Sequence, residues 1–153
     1  MKRDDWIWFA ARLFIGLVFA YAGFSKLTEP IENFRGAIAE YQVLPYSWLP
    51  FIAAVVPWME FFSGIFMMLG YAPKITSLVL AFLCFSFLMI LGASDAWLEG
   101  SKDCGCFGQG GLIHLSVRQV IALDFFNFLV SLKLFSLKNY PLSLEKWLVR
   151  KTN

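Results

Sequence analysis

The sequence predicts an all-α polytopic membrane protein, a four-transmembrane-helix bundle with short interfacial helices, on three observations. Hydrophobic residues make up 59% of the 153 residues and charged residues only 16%, against about 25% charged in an ordinary soluble domain. The apolar residues gather into runs of about 20, the length that crosses ~30 Å of hydrocarbon. Mean hydropathy is +0.64, and the 17 Phe and 6 Trp suit helices that face lipid, with Trp near the interfaces. A net charge of +2, without a basic run interleaved with stacking aromatics, gives no footprint for nucleic acid.

In chain order, Met1 to Asp5 is a charged lead, and the first span covers residues 6–25. Lys2 and Arg3 before an apolar stretch would suit a cleaved leader, but Asp4, Asp5 and Arg12 argue against one. Lys26 to Tyr46 reads as a polar connection. Within it Ile31, Phe34, Ile38 and Tyr41 recur at helical spacing, with Glu32, Arg35 and Glu40 on the other face, so a short helix is expected in the headgroup region. Pro30 suits its first turn and Pro45 ends the element. The second span, 48–69, carries Pro57 and Glu60. Gly70 to Lys74 is a tight turn, and the third span is 75–98, with Cys84 inside it. A polar, glycine-rich loop, 99–115, follows. Ser116 and Gln119 have the spacing of a capping box, so the fourth span is expected at 117–137. Leu142, Leu144, Trp147 and Leu148 among Lys146, Arg150 and Lys151 suit an amphipathic tail on the membrane surface. Without a linker or internal repeat, residues 1–153 read as one domain.

Four spans put both termini on one side. That side collects Lys2, Arg3, Lys74, Lys133, Lys138, Lys146, Arg150 and Lys151, while the other has Lys26, Arg35 and Lys102. The positive-inside rule then predicts cytoplasmic termini. The loop 99–115 is expected outside, where disulfides form and persist.

That loop holds Cys104-Gly105-Cys106-Phe107-Gly108. The two cysteines are close enough along the chain for their Cα atoms to enter the disulfide window, and so short a ring is constrained and easily reduced. Bridging them would restrict almost none of the unfolded chain, so exchange suits the pair better than stapling. Two inert free thiols are the plainer alternative. A structural zinc site would want four ligands, and the pair with His114 falls short, so no metal is expected. Cys84 lies about 14 residues before Leu98, hence ~20 Å below the outer surface, and reads as a small hydrophobe in the core.

Arg12, Glu60 and Asp124 lie inside apolar spans, where an unpaired charge costs at least ~2.5–3.5 kcal/mol, so each should face the bundle interior. Counting from the span ends predicts an Arg12–Glu60 ion pair. Asp124 and Asn127 share one face of the fourth span. Lys26 and Arg118, near the outer ends, are expected to snorkel, to hold an anion or to lower the pKa of a loop thiol. Small residues Gly16, Ala20, Gly23 and Gly64 would let the first two spans pack closely.

Arg12, Gly16 and the run Ala22-Gly23-Phe24-Ser25-Lys26-Leu27 resemble the opening of the DoxX-like membrane proteins, and Phe34, Tyr41, Leu44-Pro45, Pro57, Glu60 and Gly64 continue the likeness. Cys104-Gly105-Cys106-Phe107-Gly108, with Ser116, Val117 and Arg118, is similar to the MauE branch of that family. The resemblance implies a four-helix inner-membrane protein engaged in thiol redox traffic outside the cytoplasm beside a thioredoxin-like partner. It also raises quinone as an electron acceptor, with no covalently bound cofactor. A methylamine substrate is not implied.

The leading expectation is therefore a thiol–disulfide redox protein in which Cys104 and Cys106 react, supported by Gly105, Phe107, Gly108, Lys26 and Arg118. Which cysteine attacks, which way electrons flow and the oligomeric state stay open. One rival is a non-enzymatic scaffold or maturation factor that recruits a partner. Another is a small transporter gated by Arg12 and Glu60.

Overall fold

The computed structural model describes residues 3–93 and 115–137, and among them every regular element is helical. Helix α1 (Arg3–Thr28) is followed by α2 (Ile31–Glu40), a 3₁₀ turn (Tyr46–Trp48), α3 (Leu49–Leu69), α4 (Pro73–Ala93) and α5 (Val117–Ser136). Four of these stretches, Trp6–Thr28, Tyr46–Leu69, Pro73–Ala93 and Val117–Ser136, are long and apolar enough to cross a membrane. The cysteine loop and the amphipathic tail lie outside the described residues.

Local chemistry explains the boundaries. Pro50 in the first turn of α3 gives up an N–H that has no helical partner there. At the other end Gly70 takes the left-handed conformation (φ 69°), with Gly70 N bonded to Met67 O and Tyr71 N to Phe66 O. That pairing closes the last carbonyls of α3 and turns the chain into α4. At the start of α5, Ser116 N donates to Gln119 Oε1 at 3.0 Å, as the capping-box spacing predicts.

Helix α1 runs past the expected end at residue 25, through Lys26 to Thr28. The physical reason is that Lys26 finds a buried counter-charge and need not leave the helix for water. Helix α2 buries Phe34, Ala37 and Ile38 against Leu49 and Ala53 of α3, forming one apolar cluster. Ile31, expected on that face, is exposed, and Ala37 takes its place.

The α1–α3 contact is set by glycine. A Cβ on Gly16 would lie 2.8 Å from Gly64 O, and one on Gly23 would lie 2.5 Å from Phe61 N and 2.7 Å from Pro57 O. These backbones meet at distances no larger residue allows, which is how small residues drive helix association in lipid. Helices α4 and α5 form the second close pair, with Phe85 and Phe128 ring to ring at 6.1 Å. Between the pairs lies a core of Ile15, Phe19, Met67, Leu80, Leu83, Cys84 and Leu134. Cys84 is fully buried there, as expected of a small hydrophobe.

Outside, the bundle exposes Phe14, Leu17, Phe51, Trp58, Phe62, Phe82 and Phe125, among others, while Arg12, Lys26, Glu60, Asp124 and Asn127 are buried. Charge inside and aromatic surface outside is the arrangement of a chain solvated by lipid.

Candidate functional site: a buried ion pair beside an apolar cavity

The site begins with the packing register of α1 on α3. Gly16 sits beside Gly64 and Met68, and Gly23 beside Pro57 and Phe61. That alignment puts Glu60 level with Gly23, within one turn of Lys26. It puts Arg12 about three turns further along, ~16 Å from Gly23.

Lys26 Nζ donates to both carboxylate oxygens of Glu60, at 2.8 Å and 2.6 Å, with the two side chains 1% and 2% exposed. The ammonium also lies 5.0 Å from the Phe34 ring centre and 5.4 Å from that of Phe87. An aromatic face attracts a cation, most strongly where water is excluded. The carboxylate and the rings together hold a charge that lipid could not solvate.

This geometry corrects two expectations. The partner of Glu60 is Lys26 and not Arg12, because the glycine contacts slide α1 along α3 by ~7 Å, more than one turn, relative to helices set flush at one end. Lys26 does not snorkel to the surface but points inward. The Arg12 guanidinium is buried elsewhere, 5.4 Å from the Phe9 ring centre. Arg118 is exposed in the first turn of α5, as a snorkelling residue would be. Cys104, Gly105, Cys106, Phe107 and Gly108 lie outside the described residues. Asp124 and Asn127 are brought to one buried face of α5, as their spacing predicts.

Against the ion pair stands a cavity of about 440 Å³ between α2, α3 and α4, with Phe34, Ile38, Tyr41, Met59, Phe87 and Leu91 in its wall. Phe34 and Phe87 belong to both features, so two rings separate the cavity from the Lys26 ammonium. Tyr41, just past the end of α2, is one of the few polar groups in the lining. Burial, with Glu40 beside it, pushes its hydroxyl pKa up to about 12, so it stands as a neutral phenol. The sequence pattern does not reveal the cavity, whose wall comes from three helices. Its one legible sign is the apolar stripe of α2 at Phe34, Ile38 and Tyr41. Nor does the sequence single out Ser131, although it falls four residues after Asn127 and so on the same helical face.

The helix order places all of this at one end of the bundle. Lys26 is in the last turn of α1, and Phe87 and Leu91 belong to the second half of α4. Ala93 and Leu115, between which the cysteine connection runs, are at that same end because α4 and α5 are antiparallel neighbours. Among the described residues no group of His, Cys, Asp and Glu could hold a metal ion.

Residues 4–137 match the family described as Methylamine utilisation protein MauE. A curated relative, the methylamine utilization protein MauE of Methylophilus methylotrophus, is 31% identical over 108 residues, which are 69% of this chain and 55% of the relative. The aligned stretch thus spans about half the length of that relative. No solved structure matches the chain. With a match that runs from the first turn of α1 to the end of α5, the chain belongs to the MauE family of polytopic membrane proteins.

Proposed function

We propose that the chain is a membrane thiol–disulfide redox protein whose Cys104 and Cys106 exchange electrons with a thioredoxin-like extracytoplasmic partner, with a quinone in the bilayer as the second redox partner. The observation that carries this reading is the coincidence at one end of the bundle. The segment bearing the cysteines joins α4 to α5 where an apolar cavity lies against the Lys26–Glu60 pair. Membership of the MauE family supports a membrane accessory role, and the charge asymmetry of the sequence favours an outer location for that end, with the termini in the cytoplasm of an inner-membrane protein.

The chemistry balances without a metal. Two thiols become one disulfide by releasing two electrons and two protons, and a quinone that takes up both becomes a quinol. The same steps run backward with a reducing quinol. The cavity suits an apolar ring or chain that enters from lipid, and the neutral Tyr41 hydroxyl is a donor for a carbonyl oxygen.

Trapping tests the reading. A Cys106→Ser or Cys104→Ser variant should accumulate a mixed disulfide with its partner, identifiable by mass spectrometry after alkylation. Replacing both cysteines should abolish exchange and leave the bundle folded. Normal exchange in the double variant would refute the reading. A loop reduction potential far below that of its compartment would point instead to a static clip on a scaffold protein.

A further inference from the structure

The buried stripe of α5 reads Val117, Val120, Asp124, Asn127, Ser131, Leu134. Its ends are apolar and its middle is polar at three successive positions, in the middle of a membrane-spanning helix. Asn127 and Ser131 are 0% exposed. Neither Nδ2 nor Oδ1 of Asn127, nor Oγ of Ser131, has a hydrogen-bond partner among the described residues.

Ser131 differs from three other helix serines. Ser77 donates to Pro73 O, Ser86 to Phe82 O and Ser136 to Leu132 O, each four residues back. A serine that bonds its own helix needs nothing else. Ser131 makes no such bond, so its hydroxyl is free for something between the helices. An unsatisfied group in hydrocarbon costs several kcal/mol, and here three atoms share one place. Water is the ligand that fits, because it needs two to four polar partners and Asn127 and Ser131 offer donors and acceptors side by side.

We propose that Asp124, Asn127 and Ser131 line a water-binding site enclosed in the middle of the bundle. Apolar side chains bound the stripe at both ends. Beyond Asp124 toward the cysteine connection, Ala22, Leu91, Val117 and Val120 form an apolar plug. Toward the other end Ile15, Met67, Leu80 and Leu134 are equally buried and apolar. The titratable groups that face Asp124 are Lys26 on α1, Glu60 on α3 and Cys84 on α4.

Silver ion, close to water in size, tests the site through engineered thiols. The full chain carrying Cys84→Ala, Cys104→Ser and Cys106→Ser is the background, so the outcome is independent of any thiol exchange by the native loop. In vesicles of known orientation, Asn127→Cys and Ser131→Cys should bind silver about tenfold faster than Val120→Cys on the dry part of the stripe. Rates equal to that of Val120→Cys would overturn the proposal. Should the cysteine variants not fold, water-edited solid-state NMR of the unmutated protein decides. Magnetisation should pass from water to the Asn127 side-chain amide, assigned by its loss in Asn127→Leu, and no transfer refutes the site.

Discussion

Lys26 and Glu60 show what a charge costs in this protein and how it is kept. Each is almost wholly buried, and each is the other's counter-ion at 2.6 Å. Removal of one partner strands the other, so Glu60→Leu alone should cost about 3–5 kcal/mol in unfolding free energy. The double variant Lys26→Met/Glu60→Leu should recover most of that loss, since a well-packed apolar pair of similar volume is often neutral. Thermal unfolding of the four proteins of this cycle in detergent measures the coupling. If the double variant falls as far as the two single variants added together, Lys26 and Glu60 do not act as a pair. The sequence marked Glu60 as buried by its place in an apolar run, but its partner was not legible. Two cations, Arg12 and Lys26, lay on the same facing helix, and only the packing register tells them apart.

At the scale of the helix, that register is written in glycine. Gly16 and Gly23 on α1 meet Gly64, Pro57 and Phe61 on α3 through bare backbone. Gly23→Leu should therefore force the helices apart, at about 1–3 kcal/mol for the overpacking and with loss of the Lys26–Glu60 contact. Gly36, in the middle of α2, is the control, because a Cβ there meets nothing within 4 Å. Gly36→Ala should raise stability by about 0.5–1 kcal/mol through helix propensity alone. Chemical unfolding of both variants in one detergent is the measurement. A stable Gly23→Leu protein would mean that close approach is not what fixes α1 on α3. The small residues were visible in the sequence, as was the amphipathic stripe of α2. Which small residue on one helix meets which on the other was not, because spacing gives a face without giving an axial offset.

The whole molecule has its polarity reversed relative to a soluble bundle. Aromatic side chains such as Phe51, Phe82 and Phe125 lie outside, and Arg12, Glu60, Asp124 and Asn127 lie within. Charge counting predicts that both ends of the chain face the cytoplasm and the cysteine loop faces away. A membrane-impermeant thiol reagent on reduced, intact cells should therefore label Cys104 and Cys106, and should leave Cys84, fully buried in the core, unlabelled. Labelling of the pair only in inverted vesicles would reverse the topology and remove the extracytoplasmic partner from the reading.

The sequence alone determined the class, the four spans, the capping of α5 and the family, because these depend on composition, run length and local spacing. It also named Arg12, Glu60 and Asp124 as buried, since lipid penalises an unpaired charge regardless of fold, but left Lys26 at the surface. The tertiary structure decided which cation meets Glu60, where the cavity lies and that Asn127 and Ser131 find no hydrogen-bond partner among the described residues. Those facts depend on how far one helix slides along another. Contacts between residues distant in the chain set that offset, and no local pattern encodes it.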